Sequence, residues 1–268
     1  MSSISYSSTS YSYEPQKVLL PNPTLWYDFS QGYGNDNFSN TIKDISGNGH
    51  DGTSYNMSAA NNYNPHEYRN GRIHINNSNN QGGKYIDAPS SFFSSTDVSS
   101  RVDGPITVCI GLSGQGHMNY YAGYENIFCG SYNSSTGAHW GVGYNSSAKT
   151  RLMVGNGSQS FEISVGGSSS YATVLAFHIS KSSNYVVRYS YGMIVNNAIQ
   201  IESGYYVDGY FSKISWADFN NFSIGRWPSL NYRYSNVKIG HVMLWKNFRV
   251  PRWLMKQMVS NYLTKYLK

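Results

Sequence analysis

Charged residues are scarce in this chain, and cysteines and long apolar runs are scarcer still. Asp, Glu, Lys and Arg make up 13% of the 268 residues, about half of their usual share in a soluble domain. No apolar run approaches the roughly 20 residues of a transmembrane helix. The first residues lack the charged and apolar regions of a signal peptide. The sequence therefore predicts neither a membrane span nor a secretory leader.

The two cysteines, Cys109 and Cys129, are too few for a disulfide scaffold. Both lie in strand-like segments, Ile106–Leu112 and Asn126–Cys129, so they could be neighbours in one sheet. Buried free thiols are nevertheless the default expectation.

Tyrosine is abundant, with 25 copies, and aromatic residues reach 16% of the chain. Ser, Asn, Gly and Tyr occupy surface positions where charged residues usually stand. This composition is typical of extracellular or particle-bound β proteins, whose surfaces hydrogen-bond rather than ionise. The plainer interpretation is a turn-rich β fold that needs many Gly and Asn residues.

Much of the net charge of +6 lies near the C-terminus. Basic residues in the last turns of a helix complement its dipole, and we favour this interpretation over binding to nucleic acid or to an acidic membrane. No dense basic run or nucleic-acid-binding motif is present. The residues concerned are Lys246, Arg249, Arg252, Lys256, Lys265 and Lys268.

Residues 1–22 form a low-complexity Ser/Tyr arm that cannot bury a core of its own. One interpretation is a flexible tail. The other is an arm that adds to a partner's sheet and so binds other virion or capsid proteins. Residues 23–268 are expected to form one domain.

From Leu25 onward the pattern is one of short strands separated by polar turns. More than a dozen strands and one terminal helix predict an all-β fold, a two-sheet antiparallel sandwich with a C-terminal α-helix. The predicted strands are Leu25–Phe29, Arg72–Ile75, Lys84–Asp87, Thr107–Leu112, Ile127–Gly130, His139–Tyr144, Arg151–Val154, Phe161–Val165, Thr173–Ile179, Tyr185–Tyr191, Met193–Val195, Ala198–Glu202, Phe222–Gly225 and Val237–Trp245.

The helix is predicted from about Pro251 to Lys268. Its apolar positions recur at spacings of four and five, and Lys256 and Lys265 face elsewhere. We expect Trp26, Trp245 and Trp253 in the core. A weaker helical turn is predicted near Ser90–Ser94. The recurring apolar positions are Trp253, Met258, Tyr262 and Tyr266.

Several segments, in order, resemble concanavalin A-like, laminin-G-like jelly rolls, a superfamily also found in virion proteins. The resemblance begins with Leu25–Ser30 and Asp44–Thr53, which is similar to a "YDFS…D.SGNG.DGT" opening, and runs to about residue 266. It implies a jelly roll, in a fold that hosts lectins, glycanases, adhesion modules and virion proteins. The other segments are Gly71–Asn76, Lys84–Pro89, Ile106–Ile110, Tyr185–Gln200, Phe222–Arg226, Lys238–Trp245 and the pair Asn261-Tyr262.

No catalytic set is evident, and a glycoside hydrolase is the less favoured interpretation. Related glycanases carry carboxylates at alternate positions of one strand, flanking the sugar, whereas Glu125, Glu162 and Glu202 stand isolated. His178 and His241 fall within apolar strands and are expected to be satisfied sheet residues rather than metal ligands.

No cofactor is predicted, and a bound calcium ion is the alternative. Laminin-G-like domains sometimes bind this ion through loop Asp and Asn oxygens. Asp36, Asp44 and Asp51 could contribute here, without the support of a dense Asp cluster.

Ten aromatic residues in or beside predicted loops are the candidate contacts for a glycan or a protein partner. Sugar rings stack on Trp and Tyr, and Tyr is enriched at interfaces. The alternative is that half or more of them belong to the core or a sheet face. They are Tyr120, Tyr121, Tyr124, Trp140, Tyr144, Tyr205, Tyr206, Tyr210, Trp216 and Trp227.

The sequence thus favours a non-enzymatic structural or decoration protein of a virion, such as a phage head, fibre or tail component, with glycan adhesion as an added role. Such a protein would lie at the particle surface and could be a homo-oligomer. The alternative is a lectin-like carbohydrate-binding module that is not tied to a particle.

Overall fold

A computed structural model describes most strands and the terminal helix of this chain. The residues described are 20–29, 40–57, 73–75, 77, 83–93, 105–113, 126–133, 135, 138–144, 150–156, 160–165, 173–181, 185–195, 198–208, 221–226 and 237–267.

The described part of the chain is built mainly from β-strands, followed by one α-helix. A 3-10 turn, Ser90–Phe93, confirms the helical turn predicted there. The strands are β1 (Leu25–Asp28), β2 (Thr41–Ile42), β3 (Gly52–Tyr55), β4 (Ile73–Ile75), β5 (Tyr85–Asp87), β6 (Ile106–Ser113), β7 (Asn126–Tyr132), β8 (Ala138–Tyr144), β9 (Thr150–Asn156), β10 (Ser160–Val165), β11 (Thr173–Lys181), β12 (Tyr185–Val195), β13 (Ala198–Asp208), β14 (Ser223–Ile224) and β15 (Val237–Lys246), and the helix is α1 (Arg252–Leu267).

The strands form two antiparallel sheets, which confirms the predicted all-β sandwich. The first sheet has the order β1-β15-β6-β11-β12-β13, with β4 also paired to β15. The second has the order β10-β9-β8-β7-β14-β5-β3-β2. The predicted strands Tyr185–Tyr191 and Met193–Val195 are one continuous strand, β12, and the short strands β2 and β3 had not been predicted.

The main core lies between the two sheets and consists of the side chains that point inward as they alternate along each strand. In the second sheet, the residues that face the first sheet are register partners from strand to strand. They join into one buried apolar cluster with residues from the first sheet such as Ile110 and Phe177. The register partners are Ile86, Ile224, Cys129, Val142 and Leu152.

A second apolar cluster lies on the other face of the first sheet, beneath α1. Leu254, Met255, Met258, Val259 and Leu263 are the buried helix positions, spaced by three and four residues as one helical face requires. Burial of this face, rather than intrinsic propensity, is what stabilises a terminal helix of this length.

The helix docks closely because strand β12 has a glycine beneath it. A Cβ atom at Gly192 would lie 2.4 Å from Val259 Cγ1 and 2.5 Å from Leu263 Cδ1. A larger residue would force the Val259 and Leu263 side chains, or the helix that carries them, to shift.

Two expectations about the helix are corrected. Trp253 was expected in the core, but it is 52% exposed, because it precedes the buried position Leu254 and points away from the sheet. Arg252 lies at the first residue of α1 and Arg249 precedes it, so these two residues do not complement the helix dipole. Arg252 instead donates a hydrogen bond to the Ser203 carbonyl oxygen, at 3.4 Å.

The glycine-rich segment after β2, residues 44–51, forms a hydrogen-bonded clamp on the start of β1. The Asp44 carboxylate accepts hydrogen bonds from the backbone N–H groups of Trp26, Ser46 and His50 and from the Ser46 hydroxyl. The Asn48 amide donates to the Pro23 and Thr24 carbonyl oxygens. The segment therefore holds the start of β1 in place.

Positive φ angles at Gly47 (87°) and Gly49 (75°) allow this turn. At Gly52 a Cβ would lie 2.7 Å from the Tyr27 hydroxyl oxygen, which donates to the His50 carbonyl oxygen. The glycines of this motif thus serve the fold.

Both cysteines are buried free thiols, as expected, but they are not neighbours in one sheet. Cys109 lies on β6 in the first sheet, under the helix, and Cys129 lies on β7 in the second, facing the main core. Burial raises the pKa of both thiols well above the usual range.

Candidate functional site

The candidate site lies on the outward face of the second sheet, where β3, β5 and β14 run side by side. Thr53, Asp87 and Ser223 are register partners across these strands. Their neighbours in sequence, Ile86 and Ile224, face the core. Because side chains alternate along a strand, the three polar residues point outward together.

A partly buried ion pair forms the polar part of the site. Asp87 Oδ2 accepts a hydrogen bond from Arg226 Nη2 at 2.7 Å, and Asp87 Oδ1 accepts one from Ser223 Oγ at 2.5 Å. The Asp87 and Arg226 side chains are 26% and 11% exposed. Each charge is therefore neutralised by its partner, as partial burial requires.

The turn after β14 brings Arg226 to Asp87. Gly225 has a φ of 87°, which ends the strand and redirects the chain. A Cβ at Gly225 would lie 2.9 Å from Ile75 Cγ2. The segment Phe222–Arg226 thus supplies both Ser223 and Arg226 from one short strand and its turn.

Three planar groups are layered beside the ion pair. The Arg226 guanidinium carbon lies 3.5 Å from the centre of the Tyr85 ring. Tyr85 in turn stacks on Tyr55 with 4.5 Å between ring centroids and 21° between planes. Tyr55 is the outermost of the three and is 39% exposed.

A pocket of about 390 Å³ opens beside these groups. Its wall combines an aromatic ring with a carboxylate, a guanidinium, an amide and hydroxyl groups. Such a mixture of a flat surface and a few polar groups suits a small polar ligand. The residues that line it include Thr53, Tyr55, Asp87, Ser90, Asn221 and Arg226.

The prediction that Trp140 contacts a glycan or a partner is wrong. Trp140 is completely buried, because it is on the core-facing side of β8. Its indole ring lies 5.8 Å from both Phe177 and Phe222, nearly parallel to the latter. No glycan or partner can reach it without unfolding the sandwich.

The remaining nine predicted contact residues stay predictions. The backbone of three of them lies at the ends of strands β8 and β13, and their side chains are outside the described part of the structure: Tyr144, Tyr205 and Tyr206. The other six lie entirely outside the described residues: Tyr120, Tyr121, Tyr124, Tyr210, Trp216 and Trp227.

The carboxylates considered for calcium are engaged in other contacts. Asp44 accepts the four hydrogen bonds of the clamp described above, and Asp51 accepts from the Asp44 N–H and from the Lys43 ammonium. The hydrogen bond from Lys43 lowers the pKa of Asp51. Asp36 lies outside the described residues. Within the described ranges no three His, Cys, Asp or Glu side chains come together as a metal site would require.

The two histidines of the apolar strands behave differently. His241 is buried against Tyr262, with 4.1 Å between ring centroids, and its Nε2 lies 3.8 Å from Cys109 Sγ. His178 is also buried, but neither ring nitrogen has a hydrogen-bond partner among the described residues, which contradicts the expectation of a satisfied residue. Burial, aided by Arg249 and Arg188, lowers the pKa of His178 to about 4.

The residues of the pocket were missed in the sequence, although one signal was available. Tyr85 and Asp87 flank Ile86 in a strand whose alternation predicts two outward polar positions. The sequence does not reveal which strand pairs with this one, because Asp87 and Ser223 are 136 positions apart.

No family model matches this sequence, and no curated protein shows significant similarity to it. Solved structures that resemble it include two of tailspike protein 2 from the Escherichia coli O157:H7 bacteriophage CBA120, one full-length and one of its enzymatically active domain. Both are 11% identical and cover 63% of this chain, with TM-scores of 0.39 and 0.38. This chain spans 22% and 24% of their lengths.

A protein of unknown function from Shewanella oneidensis MR-1 is similar over 85% of this chain and 88% of its own, with 9% identity and a TM-score of 0.41. These likenesses are weak and carry no argument about function. Membership of the concanavalin A-like superfamily stays a prediction. No helix among the described residues has the length and apolar character needed to cross a bilayer.

Proposed function

We propose that this chain is a non-enzymatic, glycan-contacting module of a virion, such as a phage head decoration, fibre or tail component. The observation that carries the glycan part is the pocket beside Tyr55. An exposed aromatic ring stands there next to a carboxylate, a guanidinium and hydroxyl groups, all held by the strands of one sheet.

The chemistry of a sugar matches this arrangement. A pyranose ring has an apolar C–H face that packs on an aromatic ring, and its hydroxyls both donate and accept hydrogen bonds. Tyr55 offers the aromatic surface. The Asp87 carboxylate accepts from hydroxyls, and the Arg226 guanidinium donates to them. The layered stack holds these groups in place before a ligand arrives, which reduces the entropic cost of binding.

A hydrolytic role has less support. Glycoside hydrolysis commonly uses two carboxyl groups, on either side of the scissile bond. Asp87 is the one acidic residue among the described residues that line the pocket, and it is bound by Arg226 and Ser223. We therefore propose binding without cleavage.

The virion part of the proposal is supported by the low-complexity Ser/Tyr arm of residues 1–22, of which Leu20 and Pro21 contact the domain. The Trp245 indole N–H donates to the Pro21 carbonyl oxygen at 2.9 Å, and Leu20 packs in the cluster beneath α1. This attachment is on the helix-covered face of the first sheet, whereas the pocket is on the outward face of the second. Leu20 and Pro21 thus lie on the side of the sandwich opposite the pocket.

Deletion of residues 1–19 tests the particle role, because it removes the arm and leaves Leu20–Thr24 in place. The truncated protein should bind glycans as before and should be lost from the particles that carry the full chain, as judged by electron microscopy and mass spectrometry. Full incorporation of the truncated protein would contradict the anchoring role. A lectin-like module that is not tied to a particle would then be the better interpretation.

A glycan array probed with the purified chain tests the glycan role. Binding to a defined set of glycans is expected, and it should be lost in Tyr55→Ala but not in Trp253→Ala, which removes an exposed aromatic ring on the helix. Absence of binding to every glycan on the array would contradict the role.

A further inference from the structure

The charge balance of the pocket limits the kind of sugar that it can hold. We infer that the site beside Tyr55 takes uncharged, hydroxyl-rich glycans and discriminates against sialylated, sulfated and uronic-acid glycans. This inference rests on the proposed glycan-binding role and specifies the ligand class of the same site.

The first step concerns the contacts that the Arg226 guanidinium already makes. Arg226 is the cation that lines the pocket among the described residues, and its Nη2 group is bound to Asp87 Oδ2 at 2.7 Å. Its face is covered by Tyr85, at 3.5 Å. An anionic ligand that binds the remaining N–H groups of this guanidinium would therefore lie beside the Asp87 carboxylate.

The second step is the effect of the Asp87 carboxylate on such an anionic ligand. This carboxylate is 26% exposed and would lie next to the ligand's own negative charge. Two like charges in a partly desolvated site repel each other strongly. Asp87 therefore lowers the affinity for acidic ligands by repulsion, and such repulsive groups are a common source of binding specificity.

The third step is that a neutral sugar can use the pair without breaking it. A carboxylate has more acceptor positions than the two that Ser223 and Arg226 occupy, and a guanidinium has five donors. Neighbouring hydroxyls of one ring can accordingly donate to Asp87 and accept from Arg226 at the same time. The hydroxyls of Thr53 and Ser90, which also line the pocket, add further uncharged partners.

Matched glycan pairs test the inference on the wild-type protein. Lactose with sialyllactose, dextran with dextran sulfate, and galactan with polygalacturonate differ mainly in charge. These pairs are added to a printed array of neutral and acidic glycans. We expect the acidic member of each pair to bind about tenfold more weakly or not at all. Binding of the neutral glycan should change little between low and high salt, because no net charge is paired.

Variants of the ion pair give a second, independent readout. Asp87→Asn keeps the size of the side chain and removes its charge, so the preference should move toward acidic glycans by about tenfold or more. Arg226→Gln should weaken neutral binding without creating a preference for acidic glycans. Lys43→Gln is the matched control, because it breaks the exposed Lys43–Asp51 pair outside the pocket and should change nothing.

The outcomes separate this inference from the role on which it rests. Preferred binding of acidic glycans by the wild-type chain would overturn the inference and leave the glycan-binding role intact. Binding of neither class would overturn both. An unchanged preference in a folded Asp87→Asn protein would also overturn the inference, since Asp87 would then not be the discriminating group.

Discussion

The Arg226 guanidinium lies flat over the Tyr85 ring, with 3.5 Å between the guanidinium carbon and the ring centre. The same side chain holds Asp87 through a 2.7 Å hydrogen bond. One residue therefore links the aromatic layer of the pocket to its carboxylate. A change in Arg226 should disturb both, whereas a change in Tyr55, the outer ring of the stack, should affect the ligand surface alone.

Tyr55→Ala should weaken glycan binding by about tenfold or more and leave the fold nearly unchanged. The ring is 39% exposed, and its loss removes the packing surface for a sugar, worth about 1–2 kcal/mol. Isothermal titration with the best array ligand measures the effect. Tyr55→Phe keeps the ring and should bind nearly as well as the wild type. Equal loss in both variants would mean that the hydroxyl, not the ring, makes the contact.

Trp140→Ala should lower the free energy of unfolding by about 3–5 kcal/mol. The indole is fully buried between Phe177 and Phe222, so its removal leaves a large cavity in the main core. The matched control is Trp253→Ala, at a 52% exposed position, which should cost about 0.5 kcal/mol. Urea denaturation of the two variants measures both. Similar costs at the two sites would contradict the assignment of Trp140 to the core.

Asp44→Ala should lower the free energy of unfolding by about 2–4 kcal/mol, because three backbone N–H groups and one hydroxyl lose their acceptor. The cost should be the same in calcium and in a chelator, since the carboxylate serves the turn and not a cation. Asp51→Ala should cost about 1 kcal/mol or less. A melting temperature that rises with calcium in the wild type but not in Asp44→Ala would contradict this assignment.

Acid should destabilise the chain between about pH 6.5 and 4 through His178. Burial, with Arg249 and Arg188 nearby, lowers its pKa from 6.5 to about 4 in the folded state. The unfolded chain therefore binds the proton first, and stability that is complete above pH 6.5 falls as the pH falls through this range. The difference between these two pKa values corresponds to about 3 kcal/mol of folding free energy.

His50 contributes in the same direction, because burial and Lys246 lower its pKa as well. The variant His178→Leu separates the contributions of His178 and His50. It removes one titrating group and replaces it with an apolar side chain of similar size. Its free energy of unfolding, measured by urea titration at several pH values, should fall less between pH 6.5 and 4 than that of the wild type. An identical pH profile would show that His178 does not carry the effect.

Features encoded in short stretches of sequence could be predicted. The two-sheet class follows from the alternation of many short segments, and the position of the terminal helix follows from its apolar spacing. The positive φ angles at Gly47 and Gly49 are likewise a local property, because glycine adopts them more readily than other residues. Each of these depends on neighbours within a few positions.

Features that depend on distant pairing could not be predicted. Asp87 and Arg226 meet only because β5 and β14 pair, 139 positions apart. Trp140 was predicted as a contact residue although it lies within the predicted strand His139–Tyr144, and the alternation with Val142 places its side chain inside. The helix face was misjudged by one position, so Trp253 was assigned to the core in place of Leu254.

The most direct test of the central claim is a single experiment on one glycan ligand chosen from the array. The purified chain and Tyr55→Ala are each titrated with it by calorimetry, and the recovered glycan is weighed by mass spectrometry after prolonged incubation. We predict saturable binding by the wild type, binding weaker by about tenfold or more in the variant, and a glycan recovered at its original mass. Undiminished binding by Tyr55→Ala, or a glycan shortened by the wild-type chain, would contradict the account.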